Sequence, residues 1–289
     1  MKKNAEFTVA SDTTLLPFLL ESFSGKSRNY VKGLLTRGQI SVDGVKTTDY
    51  SRALKPGQRV TAQLIAPPPG YKMSIPVLYE DEDIIVINKP HGMLAIATDK
   101  ERESTAYHIV RDYIASRTKS GRVFVVHRLD RETSGVMLLA KNEKTKLALQ
   151  DNWDEAVLHR GYTAVVEGRV SEPSGTVKSW LRQTKTLLVY SAKREGDGKL
   201  AITNYRTLAA TGEYSLLDIS LATGRKNQIR VHMSDLGHPV AGDKKYGAKT
   251  DPLKRLALHA SVLTIQYPST GDPVTFEAKT PGGFAAAVN

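Results

Sequence analysis

Cysteine is absent from the 289 residues, and so is any long apolar run. Without thiolates the chain can form no disulfide, iron–sulfur cluster or cysteine-ligated zinc site, so only histidine and carboxylate side chains could bind a metal. No run approaches the roughly 18 apolar residues of a membrane span, and no apolar segment typical of a secretory signal follows the polar residues 1–6. We therefore expect a cytoplasmic protein with no membrane partner.

Positively charged residues are abundant instead. The chain has 41 Lys and Arg residues against 30 Asp and Glu residues, which gives a formal net charge of +11. With 40% hydrophobic and 25% charged residues, its composition fits a globular main core and a smaller satellite domain. The charge favours a polyanionic partner, nucleic acid first, because basic groups gain affinity by releasing counterions. Charge that serves solubility alone would look the same, so function stays open.

The clearest domain boundary is the proline-rich segment Ala66–Gly70. Consecutive prolines favour extended polyproline II and cannot continue a helix or a central strand. We therefore predict a small domain over residues 1–66, a linker over residues 67–75 and a large domain over residues 76–289. The small domain has ten Lys or Arg residues against five Asp or Glu residues, nearly half of the net charge in under a quarter of the chain.

The small domain has the pattern of a basic helix followed by strands. Ser27 can cap a helix over residues 28–36, in which apolar residues recur at helical spacing. Arg28 and Lys32, four residues apart, then share one helix face. Strand and turn patterns continue over residues 39–64.

This pattern resembles the S4 RNA-binding domain over almost the whole small domain. The segments that carry the resemblance are Ser27–Lys32, Gly38–Gly44 and Lys55–Val60. The resemblance implies that Arg28, Lys32 and Arg37 contact structured RNA. A solvated helix face is the alternative interpretation of the same basic residues.

The large domain is richer in strand patterns than in helix patterns. Short apolar runs recur at residues 83–88, 162–166 and 214–219, which favours an α+β fold over a regular βαβ repeat. The polar segment 193–199 contains two glycines and indicates an exposed hairpin or loop.

One segment of the large domain sets a carboxylate between two arginines. Val126–Gly135 lies between two apolar runs, so it predicts a loop between two buried strands, which is a common place for catalytic groups. Within it Asp130 has Arg128 and Arg131 as near neighbours in sequence. Asp130 is either a reactive group or half of a structural ion pair with one of these arginines, and the segment alone does not decide between the two.

Other polar side chains are weaker candidates. Thr223–His232 has three cations, two amide side chains and a histidine, a cluster that suits an anionic backbone. Lys89 could reach a phosphate or be a solvated loop lysine. The irregular spacing of His232, His238 and His259 favours hydrogen-bonded structural roles over metal ligation.

The Asp130 segment, together with six further segments in family order, resembles the RluA-type pseudouridine synthases over roughly residues 76–281. These further segments are Val77–Asp83, Asn88–Gly92, Arg160–Gly168, Thr223–His232, Gly237–Gly247 and Arg255–Ala260. The resemblance implies a mixed, largely antiparallel central sheet flanked by helices and loops, beside the small α+β S4-like domain. It also implies isomerisation of uridine in RNA to pseudouridine, without a cofactor, a metal or an obligate protein partner.

The resemblance assigns roles to particular residues. Asp130 is implied as the catalytic carboxylate, Arg230 as the guanidinium that pairs with it, and Tyr162 as the ring that lies against the target base. Leu258 is implied as an apolar pocket residue, and Arg128 as the side chain that occupies the space vacated by the flipped uridine. Arg131 and Arg225 complete the expected substrate-binding set. From the residues alone, a buried strand tyrosine is the favoured interpretation of Tyr162, and Leu258 could equally be a core residue.

The chain departs from the family pattern at Lys226–Asn227 and at Ala95–Thr98. These departures bear on RNA contacts and target choice and leave Asp130, Tyr162 and Arg230 in place. Ribosomal RNA of the large subunit is the favoured partner, and transfer RNA is second. A non-catalytic RNA-binding or ribosome-assembly factor with the same fold remains an alternative. A carboxylate glycoside hydrolase would need a second paired acid, for which only the neighbouring Glu132 is available.

Overall fold

The computed structural model describes residues 4–24, 26, 28–36, 38–63, 73–98, 101, 104–118 and 121–289. The chain divides into two compact units. The first comprises Met1–Met73, Glu101–Glu103 and Val110–Gly121, and the second comprises Ser74–Lys100, Ser104–Ile109 and Arg122–Asn289. The predicted cap Ser27, the basic Arg37 and most of the predicted linker lie outside the described residues.

The N-terminal residues form a small α+β arrangement. Four antiparallel strands in the order β1-β6-β3-β4 form a sheet, and β2 pairs with β5. The elements are β1 (Asn4–Thr8), β2 (Thr13–Thr14), α1 (Leu15–Ser22), α2 (Arg28–Thr36), β3 (Ile40–Val42), β4 (Val45–Lys46), β5 (Ala53–Leu54) and β6 (Arg59–Gln63).

Helix α2 coincides with the predicted helix over residues 28–36. Its residues Val31, Leu34 and Leu35 are buried because their spacing places them on one helical face. Asp43 and Gly44 form the tight turn between β3 and β4 with φ of 50° and 81°, as a two-residue hairpin turn requires.

A mixed, largely antiparallel sheet dominates the second unit, as the family resemblance implies. Its strands follow the order β13-β12-β14-β15-β11-β16-β10-β8-β7, with β17 beside β16 and β9 beside β10. The strands are β7 (Val77–Glu80), β8 (Ile84–Lys89), β9 (Phe124–Val125), β10 (Ser134–Ala140), β11 (Val157–Glu167), β12 (Ser174–Gln183), β13 (Val189–Ser191), β14 (Lys199–Ala210), β15 (Tyr214–Leu221), β16 (Leu258–Gln266) and β17 (Pro273–Glu277).

Short helices accompany this sheet. They are α3 (Ala106–Arg117), whose residues are shared between the two units, α4 (Glu143–Gln150), α5 (Trp153–Ala156), α6 (Gln228–Asp235) and α7 (Gly283–Ala286), with a 3₁₀ turn at Lys244–Tyr246. The central strand β10 is buried along its whole length. Among the described residues, no helix has the length and apolar character required to cross a bilayer.

Strands β10 and β16 are joined in parallel by only two residue pairs, Ser134 with His259 and Gly135 with Ala260. Gly135 has φ of +119°, and a Cβ atom there would lie 2.1 Å from the carbonyl oxygen of Ala260. Only glycine allows this approach. The pairing fixes the end of the Asp130 loop against the start of β16.

Candidate active site

The Asp130 loop connects β9 to β10, as the sequence predicts, although β9 is only half-buried. At its start the imidazole Nε2 of His127 accepts a hydrogen bond from the backbone N–H of Leu138 at 2.9 Å. Because a backbone N–H can only donate, His127 must be neutral, with its proton on Nδ1. Burial, reinforced by the charge of Arg160, lowers the pKa of His127 to about 4, which agrees with that assignment.

Lys89, at the end of β8, anchors the same loop. Its ammonium donates to the carbonyl oxygens of Pro90, Met93 and Arg131 at 2.9, 2.8 and 3.2 Å, and the side chain is fully buried. Neither interpretation from sequence, a phosphate contact or a solvated loop lysine, was correct. The reason is that the loop folds its carbonyl groups over the ammonium, which removes the side chain from solvent.

A hydrogen-bonded chain secures the end of the loop. The guanidinium of Arg255 donates to Ser134 Oγ at 2.7 Å, Ser134 Oγ lies 2.8 Å from His259 Nδ1, and His259 Nε2 lies 3.1 Å from the carbonyl oxygen of Ala278. Since that carbonyl can only accept, His259 carries its proton on Nε2 and accepts from Ser134. The loop therefore enters β10 on fixed partners.

The loop lines one wall of a cavity of about 440 Å³. Asp130, Tyr162, Arg230, Arg128, Arg225 and Leu258, all expected from the sequence to act on substrate, line this cavity together. Among its described lining residues, Asp130 is the only carboxylate, so no second acid is present there to act with it as in a glycoside hydrolase. The apolar and aromatic part of the wall is formed by Val126, Leu129, Trp153, Tyr162, Leu221, Ile229 and Leu258.

Asp130 lies at the N-terminal end of α6. Its Oδ2 accepts a hydrogen bond from the backbone N–H of Asn227 at 3.3 Å, and Asn227 is the residue that precedes the first helical residue. A helix N-terminus carries a partial positive charge, which attracts an acceptor such as a carboxylate. Asn227 has φ of 53°, a left-handed conformation that asparagine tolerates better than most residues.

Arg230 does not hold Asp130 in its guanidinium fork, contrary to the expected pairing. Its Nε and Nη2 each donate to Asp243 at 2.6 Å, in a buried bidentate pair. The fork is occupied because the 3₁₀ turn after Asp243 brings that carboxylate to α6, and the Tyr246 ring of the same turn lies 4.9 Å from the guanidinium. Burial opposes the charge, but the hydrogen bonds and charge of Asp243 outweigh it, and with a contribution from Asp130 they raise the pKa of Arg230.

Tyr162 lies on β11 and contributes its ring to the cavity. Burial raises the pKa of Tyr162 to about 12, with Arg160 opposing the shift and Asp130 adding to it. The phenol is therefore protonated at neutral pH and can donate a hydrogen bond or stack against a base.

Arg131 is the one expected substrate-binding residue of the large domain that does not line the cavity. Its Nε donates to the carbonyl oxygen of Gly92 at 3.0 Å, and its side chain is about half exposed. Arg28 and Lys32 lie on α2, as predicted, and the structure gives no test of an RNA contact for them.

Hydrogen bonds hold His232, His238 and His259, as expected from the sequence. His259 lies between Ser134 Oγ and the carbonyl oxygen of Ala278, His232 lies between Thr203 Oγ1 and Ser179 Oγ at 2.8 and 2.9 Å, and His238 Nδ1 lies 2.8 Å from the carbonyl oxygen of Glu167. Within the described ranges, no group of three or more His, Asp or Glu side chains is placed to hold a metal ion.

Sequence reasoning missed Asn227 as a partner of Asp130, Asp243 as a partner of Arg230, and Arg160 as a cavity residue. The only sequence signal for Asp243 was its place in the segment Gly237–Gly247, which resembles the family. Arg160 had a signal, because residues two apart on a strand share a face and Arg160 precedes Tyr162 by two.

Comparisons with known proteins identify the class to which this fold and cavity belong, an enzyme that isomerises uridine in RNA. The family described as RNA pseudouridylate synthase matches residues 83–235, more than half of the chain. The chain is 33% identical over 280 residues to the uncharacterized RNA pseudouridine synthase YlyB of Bacillus subtilis strain 168, covering 94% of this chain and 91% of YlyB. The chain therefore belongs to the RNA pseudouridylate synthase family.

Other comparisons agree. An uncharacterized RNA pseudouridine synthase of Aquifex aeolicus strain VF5 is 32% identical over 299 residues, which cover 96% of this chain and 94% of that protein. The solved structure of human RNA pseudouridylate synthase domain containing 1 is 26% identical, with a TM-score of 0.58 over 77% of this chain and 89% of that one. Human RNA pseudouridylate synthase domain containing 4, 24% identical with a TM-score of 0.59 over 73% and 90% of the two chains, shares the fold.

Proposed function

We propose that Asp130 starts the isomerisation of a uridine that has been flipped out of structured RNA. The observation that carries this proposal is that Asp130 is the only carboxylate among the described residues of the cavity, beside an aromatic ring and several cations. A carboxylate can attack as a nucleophile and can stabilise positive charge that develops at C1′.

The reaction conserves atoms and needs no redox partner. The N1–C1′ bond breaks, the uracil turns, a C5–C1′ bond forms, C5 loses its proton, and N1 gains one. Asp130 is proposed to act as a carboxylate, with its Oδ2 held by the backbone N–H of Asn227 at the N-terminus of α6. Arg230 is a further cation of the same cavity, and its geometry is fixed by Asp243.

Tyr162 is proposed to lie against the target base. Its pKa of about 12 keeps the phenol protonated, so stacking and hydrogen-bond donation are its main contributions. Removal of the C5 proton by its oxygen would require the phenol to lose its own proton first.

Arg128 and Leu258 complete the proposed base-flipping site. Flipping a uridine out of a stack costs a few kcal/mol. Contacts with the flipped base, and with the space that it leaves in the stack, must offset this cost. Leu258 supplies an apolar wall inside the cavity, and the exposed Arg128 is proposed to occupy the vacated space. Arg225 and Arg131 are proposed to bind the surrounding RNA.

The small N-terminal domain is proposed to act as an S4-like RNA-binding module, with Arg28, Lys32 and Arg37 as its RNA contacts. The excess of basic residues in this segment supports that role. Large-subunit ribosomal RNA in the cytoplasm is the favoured substrate, and transfer RNA is the second candidate.

The test is pseudouridine mapping of total RNA from cells that carry wild-type protein, Asp130→Asn or no protein. We expect the same uridine to remain unmodified in both defective strains, which would also identify the substrate. The RNA affinity of Asp130→Asn should stay within a few-fold of the wild-type affinity, because asparagine has nearly the same shape as aspartate. An unchanged map in the absence of the protein would overturn the proposal and favour a non-catalytic RNA-binding factor.

A further inference from the structure

The described residues that line the cavity carry five cations and one carboxylate. The cations are Arg128, Arg160, Arg225, Lys226 and Arg230. Arg230 is neutralised by Asp243, and Asp130 is the single acid. The remaining four cations therefore leave a cavity with strong positive charge before any RNA enters.

Arg160 is the most unusual of these cations because it is partly buried. Its Nη2 donates to the carbonyl oxygen of Ala222 at 3.0 Å. Its Nη1 lies beside the backbone of Gly224, where a Cβ atom would approach it to 2.6 Å. In the part of the chain that the structure describes, no carboxylate lies within 4.0 Å of this guanidinium.

Burial without an ion pair makes the charge of Arg160 costly. Desolvation lowers the pKa of Arg160, Tyr162 and Asp154 oppose that shift, and Arg225 adds a smaller lowering effect. A folded protein retains such a charge at the expense of stability. An anion between Arg160 and Arg225 would remove that penalty.

Both guanidinium groups are held in place by backbone. The Nε of Arg225 donates to the carbonyl oxygen of Leu200 at 3.0 Å, just as Arg160 is held by Ala222. Each group thus has one nitrogen fixed, and among the described residues no hydrogen-bond partner occupies its other nitrogens. A planar guanidinium that is fixed in this way is preorganised for a phosphate.

We propose that Arg160 and Arg225 together bind one phosphodiester of the substrate RNA, next to the flipped uridine. The inference rests on the proposed function, because it takes RNA as the ligand of the cavity. It adds a phosphate site to the base site formed by Tyr162 and Leu258. Arg160 and Tyr162 lie on the same face of β11, so one strand positions both the base contact and the phosphate contact.

The phosphate site can be tested without catalysis, using full-length protein and small probes. The probes are uridine, which has no phosphate, and the methyl esters of uridine 5′-phosphate and uridine 3′-phosphate. Each of the two esters carries one phosphodiester. Titration calorimetry should show that at least one ester binds about tenfold more tightly than uridine, as expected for charge-assisted hydrogen bonds. Equal binding of uridine and both esters would overturn the proposal.

Variants test whether Arg160 and Arg225 cause the preference for the ester over uridine. Arg160→Gln and Arg225→Gln should each abolish most of the preference for the ester, and Gly224→Ala should weaken it by displacing the Arg160 head group. Arg182→Gln is the matched control, because Arg182 is an exposed cation that is paired with Asp197 and does not line the cavity. A preference that survives in Arg160→Gln, or that falls equally in Arg182→Gln, would contradict the assignment.

Folding provides a second readout. Arg160→Gln should melt no lower than the wild type, because it removes a charge that burial penalises while glutamine can still donate to Ala222. A large loss of stability would show that Arg160 is structural. If RNA mapping fails but the ester preference persists, the catalytic proposal falls and the phosphate site stands.

Discussion

The carboxylate of Asp130 accepts a hydrogen bond from the backbone N–H of Asn227, the residue that leads into α6. This contact joins the Asp130 loop to the Thr223–His232 segment, 97 residues further along the chain. It uses backbone, so this contact itself depends on the side chain at 227 only through the conformation that the residue permits. The departure from the family pattern at this position therefore falls directly beside the proposed catalytic group.

Asn227→Gly should retain turnover close to that of the wild type, whereas Asn227→Ala should lower both turnover and stability. Both variants keep the backbone N–H, but only glycine adopts the left-handed conformation without strain. We expect Asn227→Ala to be less stable than Asn227→Gly by about 1 kcal/mol in urea unfolding. If Asn227→Gly is as inactive as Asp130→Asn, the side-chain contacts to Tyr246 and Arg230 are what matter.

Arg230→Lys should destabilise the protein and lower turnover, because lysine cannot reproduce the bidentate pair with Asp243. Removing one partner of a buried pair costs about 3–5 kcal/mol, and lysine should lose a large part of that. Arg182→Lys is the control, since one nitrogen of Arg182, Nη1, donates to both carboxylate oxygens of Asp197 at an exposed site, a pair worth about 0–1 kcal/mol. Similar unfolding midpoints for the two variants would contradict the structural role of the Arg230–Asp243 pair.

Gly135→Ala should be among the most damaging small substitutions in the chain. The added methyl would meet the carbonyl oxygen of Ala260 at 2.1 Å, so backbone would have to move. Gly271→Ala is the control, because Gly271 also has positive φ, +78°, but a Cβ there has open space. We expect Gly271→Ala to cost about 1 kcal/mol and Gly135→Ala to cost far more, as measured by thermal unfolding and soluble yield.

Acid should destabilise the protein in part through His232. Burial lowers the pKa of His232 from 6.5 to about 4, so between these values the unfolded chain binds the proton more readily. The stability that the buried, neutral His232 contributes is fully present above pH 6.5 and is lost as the pH falls to about 4. The resulting loss of unfolding free energy is at most about 3 kcal/mol.

His232→Gln should flatten the pH dependence of unfolding free energy over this window, measured in urea at pH 7 and pH 5. The flattening should be incomplete, since burial also lowers the pKa of His127 to about 4. If the unfolding free energy of His232→Gln depends on pH as strongly as that of the wild type, His232 is not a source of the acid sensitivity.

Much of the site could be predicted because its residues lie in contiguous motifs. The Asp130 loop between β9 and β10, helix α2 over residues 28–36 and the hydrogen-bonded histidines are confirmed. The partners were harder to predict, because they depend on where separate segments meet. Asp243 reaches Arg230 through a 3₁₀ turn, and Lys89 is buried only because three carbonyl groups fold over it.

The two-residue pairing of β10 with β16 also determines where the chain can change length. An inserted residue between Arg131 and Gly135 would shift β10 against β16 by one position, and a one-residue shift turns side chains to the opposite face of a sheet. The exposed segment 193–197 connects β13 to β14 without such a constraint. We therefore expect insertions, such as an epitope tag or a reporter peptide, to be accepted at residues 193–197 and rejected between Arg131 and Gly135.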